Sequence, residues 1–178
     1  MESVIASYTP LQAEVIRLHD LYRNCLLSRK YYAVSLKKYK VWNLTLDIIV
    51  ALATSSAFAG LAILQTPLGT NVFSGLLAAS VVVSVIRPFL KLAEGVDRYS
   101  KLHYAYGELF YQIESLVADM RRKDRVTEEH FRAAADMADR YRNLALQDDP
   151  GPRREALRKF ENEVNEAIPP DRLWLPAA

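Results

Sequence analysis

The sequence predicts an all-α protein. Its centre is a two-transmembrane helical hairpin, whose long cytoplasmic helical extensions form an antiparallel coiled-coil-like bundle, and two further helices follow at the C-terminus. Three observations lead there. No charged residue occurs from Ile48 to Ile86, 39 positions, although 25% of the 178 residues are charged. Lys and Arg gather on both sides of that stretch. Apolar residues then recur at alternating spacings of three and four on both flanks, which is the period of a helical seam.

At a charge frequency of about 25%, chance would leave such a gap at a given start with probability of roughly 10⁻⁵. Two apolar runs fill it, Ile48–Leu64 and Val72–Ile86, separated by QTPLGTN, in which Pro67 and Gly69 supply turn chemistry. A membrane helix needs about 20 apolar residues. Starting the first span at Val41 gives 41–64, with Trp42 and Asn43 at the interface, and extending the second to Leu90 gives 72–90. The loop 65–71 is uncharged, whereas Arg29, Lys30, Lys37, Lys38 and Lys40 precede the first span and Arg87, Lys91, Arg98 and Lys101 follow the second. The positive-inside rule therefore places both termini in the cytoplasm. The first 40 residues hold no apolar core of a cleavable signal, so the first span is expected to direct its own insertion. The competing arrangement is a hairpin buried in a soluble bundle, which normally keeps one polar face. This stretch has none.

Residues 1–40 form the cytoplasmic N-terminal helix. Thr9 is placed to cap it and Pro10 to open it, and its stripe is Leu11, Val15, Leu18, Tyr22, Cys25, Tyr32, Leu36 and Tyr39, with Arg29 the one polar interruption. Residues 91–125 carry the matching stripe Tyr99, Leu102, Tyr106, Leu109, Ile113, Leu116 and Met120. The extension 126–178 holds a helix capped by Thr127, with Glu128 and Glu129 in its first turn and the stripe Phe131, Ala134, Ala138, Tyr141 and Ala145. A last helix from about Pro152 carries Leu157, Phe160, Val164 and Ile168, and an apolar tail contains Leu173, Trp174 and Leu175. The extension has 8 basic and 11 acidic residues against 7 and 3 in residues 1–40, an opposition that suits docking of one on the other.

No pattern for a catalytic nucleophile, a nucleotide-binding loop or a zinc site occurs, so no enzyme, cofactor or metal is expected. The single Cys25 excludes an intrachain disulfide, and His19, His103 and His130 are too scattered to propose a metal site. The net charge of +2 gives no footprint for direct nucleic-acid binding. Tyr99, Tyr104, Tyr106 and Tyr111 beside Arg98 and Lys101 could stack bases, but seam packing is the more frequent use of such residues. Asp47 and Arg87 fall at similar depth near the cytoplasmic face, as an ion pair or as a charged ring at a pore mouth. With them, the hydroxyls of Ser55, Ser80 and Ser84 are the candidate pore or gating residues, although such hydroxyls also bond to their own helix. The candidate assembly residues are the small side chains Ala51, Ala59, Gly75 and Ala79, at spacings that let helices approach closely, and the seam residues Tyr99, Leu102, Tyr106, Leu109 and Ile113.

From about Leu21 to Lys123 the sequence resembles the SLATT family, the SMODS- and SLOG-associating two-transmembrane effector domains of bacteria. The resemblance lies in the basic, aromatic segment RKYYAVSLKKYKVWN, the tight hairpin, and RPFLKLAEGVDRYSKLHYAYGELFYQIESL, where Phe89, Leu90, Glu94, Tyr99, His103, Tyr106, Leu109, Ile113 and Glu114 match the family's diffuse pattern. It implies an inner-membrane effector of anti-phage defence that assembles into a homo-oligomer among membrane lipid and perforates the bilayer. The trigger would come from a nucleotide-generating cyclase or a nucleotide-sensing partner protein. Residues 126–178 lie outside the resemblance. A non-conducting anchor or scaffold that presents the cytoplasmic helices to a partner is the alternative.

Overall fold

A computed structural model describes residues 9–54, 75, 78–79, 81–83, 85, 90–148, 154–170 and 173–176, by backbone alone at 52–54 and 154–156. Among the described residues four helices have defined bounds, in order: α1, Pro10–Thr54; α2, Leu92–Lys123; α3, Glu128–Ala145; and α4, Arg154–Ala167. The described residues between Gly75 and Leu90 are helical as well, and no strand occurs among the described residues. The all-α class is therefore the observed one.

The transmembrane hairpin fares differently. Among the described residues no helix is long and apolar enough to cross a membrane. Of the uncharged stretch, the described residues Ile48–Thr54 belong to α1, and before them α1 mixes charged and apolar side chains. Residues 55–74, which hold the rest of the first span and the loop, lie outside the described residues.

The chain divides into two compact units, Met1–Val34 with Ser100–Ala178, and Ser35–Tyr99. In the first unit α1 and α2 run antiparallel. Tyr22 stacks on Phe110 at 4.6 Å and Tyr32 on Tyr106 at 5.7 Å, so an advance along α1 is a retreat along α2. Leu18, Cys25, Leu109, Phe110, Ile113 and Met120 form the buried cluster between them. At about 1.5–3 kcal/mol for each large apolar side chain removed from water, this seam is the main stabilising contact of the unit.

Arg29, the interruption in the α1 stripe, lies over the rings of Phe110 and Tyr111 at 5.8 and 4.9 Å, and its guanidinium donates to the Tyr111 hydroxyl. Gly107 faces it: a Cβ there would sit 3.4 Å from Arg29 Nε, in ordinary contact. An arginine can thus hold a seam position because its planar head has an aromatic face on which to lie.

The helix ends follow local chemistry. Thr9 Oγ1 accepts from the Gln12 backbone N–H at 3.3 Å while Gln12 Oε1 accepts from Thr9 N–H at 3.2 Å, a reciprocal capping box at the start of α1. Lys91 has φ 46° and breaks the helical path just before α2. Asp124, φ 47°, ends α2: its N–H bonds to the Arg121 carbonyl and the Arg125 N–H to the Met120 carbonyl, the pairing of a Schellman cap with aspartate where glycine is usual.

α3 and α4 close over the α1–α2 pair. α3 turns Ala134, Met137, Tyr141 and Leu144 onto the buried cluster. The expected stripe placed Ala138 and Ala145 there; Ala145 is exposed instead. The face with Met137 and Leu144 removes more apolar surface from water, which sets the rotation of the helix. α4 buries Phe160 and Val164, and Ile168 and Trp174 pack against the same cluster. The charge opposition of the two ends is used within the chain: Lys30 Nζ meets Glu163 Oε2 at 2.7 Å and the Arg23 guanidinium donates to Asn165.

In the second unit Tyr39 packs on Tyr99 at 4.8 Å and crosses Gly95, where a Cβ would lie 2.5 Å from the Tyr39 ring. The two α2 glycines therefore predict opposite outcomes. Gly107→Ala gains about 1 kcal/mol of helix propensity at ordinary contact distance and raises the midpoint of thermal unfolding followed by circular dichroism. Gly95→Ala displaces the Tyr39 ring and lowers the midpoint.

Candidate functional site

The sequence-derived candidates separate into three groups. Ser55, Ala59, Ser80, Ser84 and Arg87 lie outside the described residues. Asp47, Ala51, Gly75, Ala79 and Tyr99 belong to the second unit, and Leu102, Tyr106, Leu109 and Ile113 to the first.

Tyr99, Leu102, Tyr106, Leu109 and Ile113 are all buried, the last three completely. Their side chains pack within one copy of the chain. In this arrangement Tyr106, Leu109 and Ile113 leave no surface for a second copy. The small residues behave otherwise. Ala51, Gly75 and Ala79 are exposed, and nothing lies within 4 Å of the position a Cβ would take on Gly75. Asp47 is half-buried on α1, and its carboxylate accepts from Asn43 Nδ2 at 3.2 Å, one turn earlier, among other interactions. Of the four tyrosines weighed for base stacking, Tyr99 and Tyr106 face inward; Tyr104 and Tyr111 are exposed, and Tyr111 holds Arg29.

The second unit presents an unusual surface. Twelve large hydrophobic side chains are exposed among the described residues, and eight of them fall between Val41 and Leu90: Val41, Trp42, Leu44, Ile48, Val81, Val82, Val85 and Leu90. On α1 the residues Val41, Leu44 and Ile48 recur at spacings of three and four, so they share one face. Scattered exposed apolar residues are ordinary, but a concentration of this kind marks a surface that something else covers.

The first unit carries the polar chemistry. The Tyr106 hydroxyl, on a wholly buried ring, donates to both oxygens of Asp148 at 2.8 and 3.0 Å, fixing the chain that leaves α3. Burial, and then that carboxylate, push the phenol well above its usual range. Burial pushes the Cys25 thiol up to about 12, so it is an unreactive core side chain. Thr127 caps α3, and its N–H donates to His130 Nδ1 at 3.1 Å; the proton on that ring is therefore on Nε2, which donates to Asp119 Oδ2 at 3.0 Å. Lys123, His130 and Arg122 together hold the Asp119 carboxyl well below the usual carboxylate range. Among the described residues no group of His, Cys, Asp and Glu could hold a metal ion.

Sequence reasoning missed the role of His130. The signal was the Thr127-x-x-His130 spacing of a capping box, obscured because the third position normally holds Glu or Gln. The Tyr106–Asp148 bond spans 42 residues and leaves no local signal.

A groove of about 460 Å³ opens between α1 and α3. Val15, Leu18, Leu21, Met120, Phe131 and Ala134 line it, with Arg17 and Arg142 also on its wall. Ala134, Ala135 and Ala138 keep it open, since larger side chains there would fill it. On the neighbouring surface His19 is buried with neither ring nitrogen hydrogen-bonded among the described residues. Burial lowers its pKa, against the smaller pull of the Trp174 backbone and the Asp20 charge. The tail is fastened beside it, where Gln12 Nε2 donates to the Pro176 carbonyl at 3.2 Å.

No protein-family model matches the sequence, and no curated protein or solved structure matches it at a significant level.

The titratable groups predict two acid limbs of stability. His19 has a folded pKa below its ordinary 6.5, so its contribution is complete above pH 6.5 and is lost as pH falls below it. Asp119 and Glu163 are depressed carboxylates, Asp119 by Lys123 first and Glu163 by Lys30; their contribution is complete above pH 4.5 and is lost as pH falls through their folded values. Denaturant midpoints measured against pH should show both limbs. His19→Phe removes the upper one and Glu163→Gln shrinks the lower; a wild-type profile that is flat from pH 7 to pH 5 contradicts the assignment.

Proposed function

We propose that this chain is a two-span membrane effector of the SLATT type: a homo-oligomer that perturbs or perforates the bacterial inner membrane in an anti-phage defence system, with both termini in the cytoplasm. The observation that carries the reading is the 39-residue uncharged stretch, together with the exposed apolar side chains on its described margins, Val41, Trp42, Leu44 and Ile48 on one side and Val81, Val82, Val85 and Leu90 on the other. Water is a poor solvent for such a surface at about 25 cal/mol per Å² of apolar area, and hydrocarbon is a good one. Two spans cannot enclose a pore alone, so several copies are required. Ala51, Gly75 and Ala79, small and exposed, are where helices of neighbouring copies can approach closely. Asp47 and Arg87 stand at the cytoplasmic mouth of such an assembly, with Ser55, Ser80 and Ser84 along its wall.

The first unit is then the cytoplasmic body. Either its own helices read the signal, or a neighbouring nucleotide-generating cyclase or nucleotide-sensing partner relays it. The groove between α1 and α3 favours a second reading, in which the chain is a non-conducting anchor that offers this groove to a partner protein.

Dye release from sealed liposomes containing the purified protein distinguishes the two. The effector reading expects leakage that Asp47→Asn changes by an order of magnitude and that Gly75→Ile abolishes. Sealed vesicles, with in vivo activity indifferent to Asp47→Asn but lost when Ala138→Trp fills the groove, would establish the anchor instead.

A further inference from the structure

The second unit also shows an abrupt change of chemistry along a single helix. On α1, Lys37, Lys38 and Lys40 are all exposed, and among the described residues none of them has a carboxylate partner. The next residues, Val41 and Trp42, are each 55% exposed, and Leu44 and Ile48 continue the exposed apolar surface. Lys37, Val41, Leu44 and Ile48 succeed one another at spacings of four, three and four, so one face of the helix passes from ammonium to hydrocarbon. Lys38 and Lys40 flank Lys37 on either side of that face.

From Lys37 to Leu44 the helix rises about 10 Å. The polar layer of one bilayer leaflet is about 5–8 Å deep. A lysine side chain long enough to snorkel covers the difference. Trp42 lies at the boundary, where an indole gains from having an apolar face in lipid and its N–H in the headgroups. On the opposite side Leu90 is exposed and Lys91 follows it, but Lys91 Nζ already lies 3.4 Å from Glu94. Among the described residues of this unit, the lysines without a carboxylate partner therefore sit on α1.

We propose that Lys37, Lys38 and Lys40 form a cationic collar that binds the phosphates of anionic phospholipids, with Trp42 as its hydrophobic floor. The inference rests on the two-span reading and adds the class of lipid that the protein selects. A zwitterionic headgroup presents its own ammonium beside the phosphate and leaves the three lysines without net attraction. A headgroup with net negative charge supplies the counter-charge that the chain lacks there. Each lysine near an anionic surface contributes about fivefold in partition, so three contribute on the order of a hundredfold at low ionic strength.

The test is the full-length protein partitioned between phosphatidylcholine vesicles and vesicles of phosphatidylcholine mixed with phosphatidylglycerol, separated by flotation across a range of salt. The wild type is expected to favour the anionic vesicles by up to a hundredfold, less as salt rises, and to resist extraction by alkaline carbonate. Lys37→Gln, Lys38→Gln and Lys40→Gln combined should float equally with both vesicles while remaining integral. Integral wild-type protein without a headgroup preference, or a preference unchanged in the triple variant, overturns the collar and leaves the two-span reading intact. A preference that carbonate strips away with the protein upholds the collar and overturns the spans. Failure to float with either vesicle overturns both.

Discussion

The first unit depends on one contact, the antiparallel seam in which α1 sets Leu18, Tyr22 and Cys25 against Leu109, Phe110, Ile113 and Met120 of α2. Every other element is attached to it. α3 rests Met137, Tyr141 and Leu144 on it, and Ile168 and Trp174 add a further layer. The polar contacts act as fasteners on that apolar base: Asp148 on Tyr106, Glu163 on Lys30, and His130 on Asp119. Such part-buried polar contacts contribute modestly, about 0.5–1.5 kcal/mol for a typical hydrogen bond. They fix which face of α3 and α4 is turned inward, and burial supplies most of the energy.

The same helices extend into a unit with the reverse economy of surface. There, eight of the exposed side chains are large and apolar, and the aromatic packing of Tyr39 on Tyr99 across Gly95 joins the described portions of α1 and α2. α1 thus changes from a helix with one apolar stripe facing its own chain to a helix with apolar residues on its outward face as well. A helix apolar on several sides needs an apolar surrounding. In the reading we propose, lipid and other copies supply it, beginning just past the lysines that precede Val41.

Much of this was legible in the sequence, for identifiable reasons. The seams followed from three–four spacing, and the boundaries from Thr9, Thr127 and the helix-breaking segments, because caps and stripes are local chemistry. Three things were not legible. Arg29 reads as a defect in a stripe, but its aromatic bed and the facing Gly107 come from another helix. The rotation of α3 onto Met137 and Leu144 depends on the shape of the surface it meets. Whether the stripe Tyr99 to Ile113 also meets a second copy is a matter of assembly that spacing does not specify; the described contacts of Tyr99, Tyr106, Leu109 and Ile113 lie within the chain, as the matching stripes predict. Ala51, Gly75 and Ala79, by contrast, are exposed.

The central claim is that lipid surrounds the uncharged stretch. Spin labels placed singly at Ile48 and Val82 in the reconstituted protein test it most directly, since the native Cys25 is buried and its raised thiol pKa keeps it from competing for the label. The account predicts that both labels relax strongly with dissolved oxygen and weakly with a water-soluble nickel chelate. Strong relaxation by the chelate, or protection from both reagents as in a protein core, would contradict it.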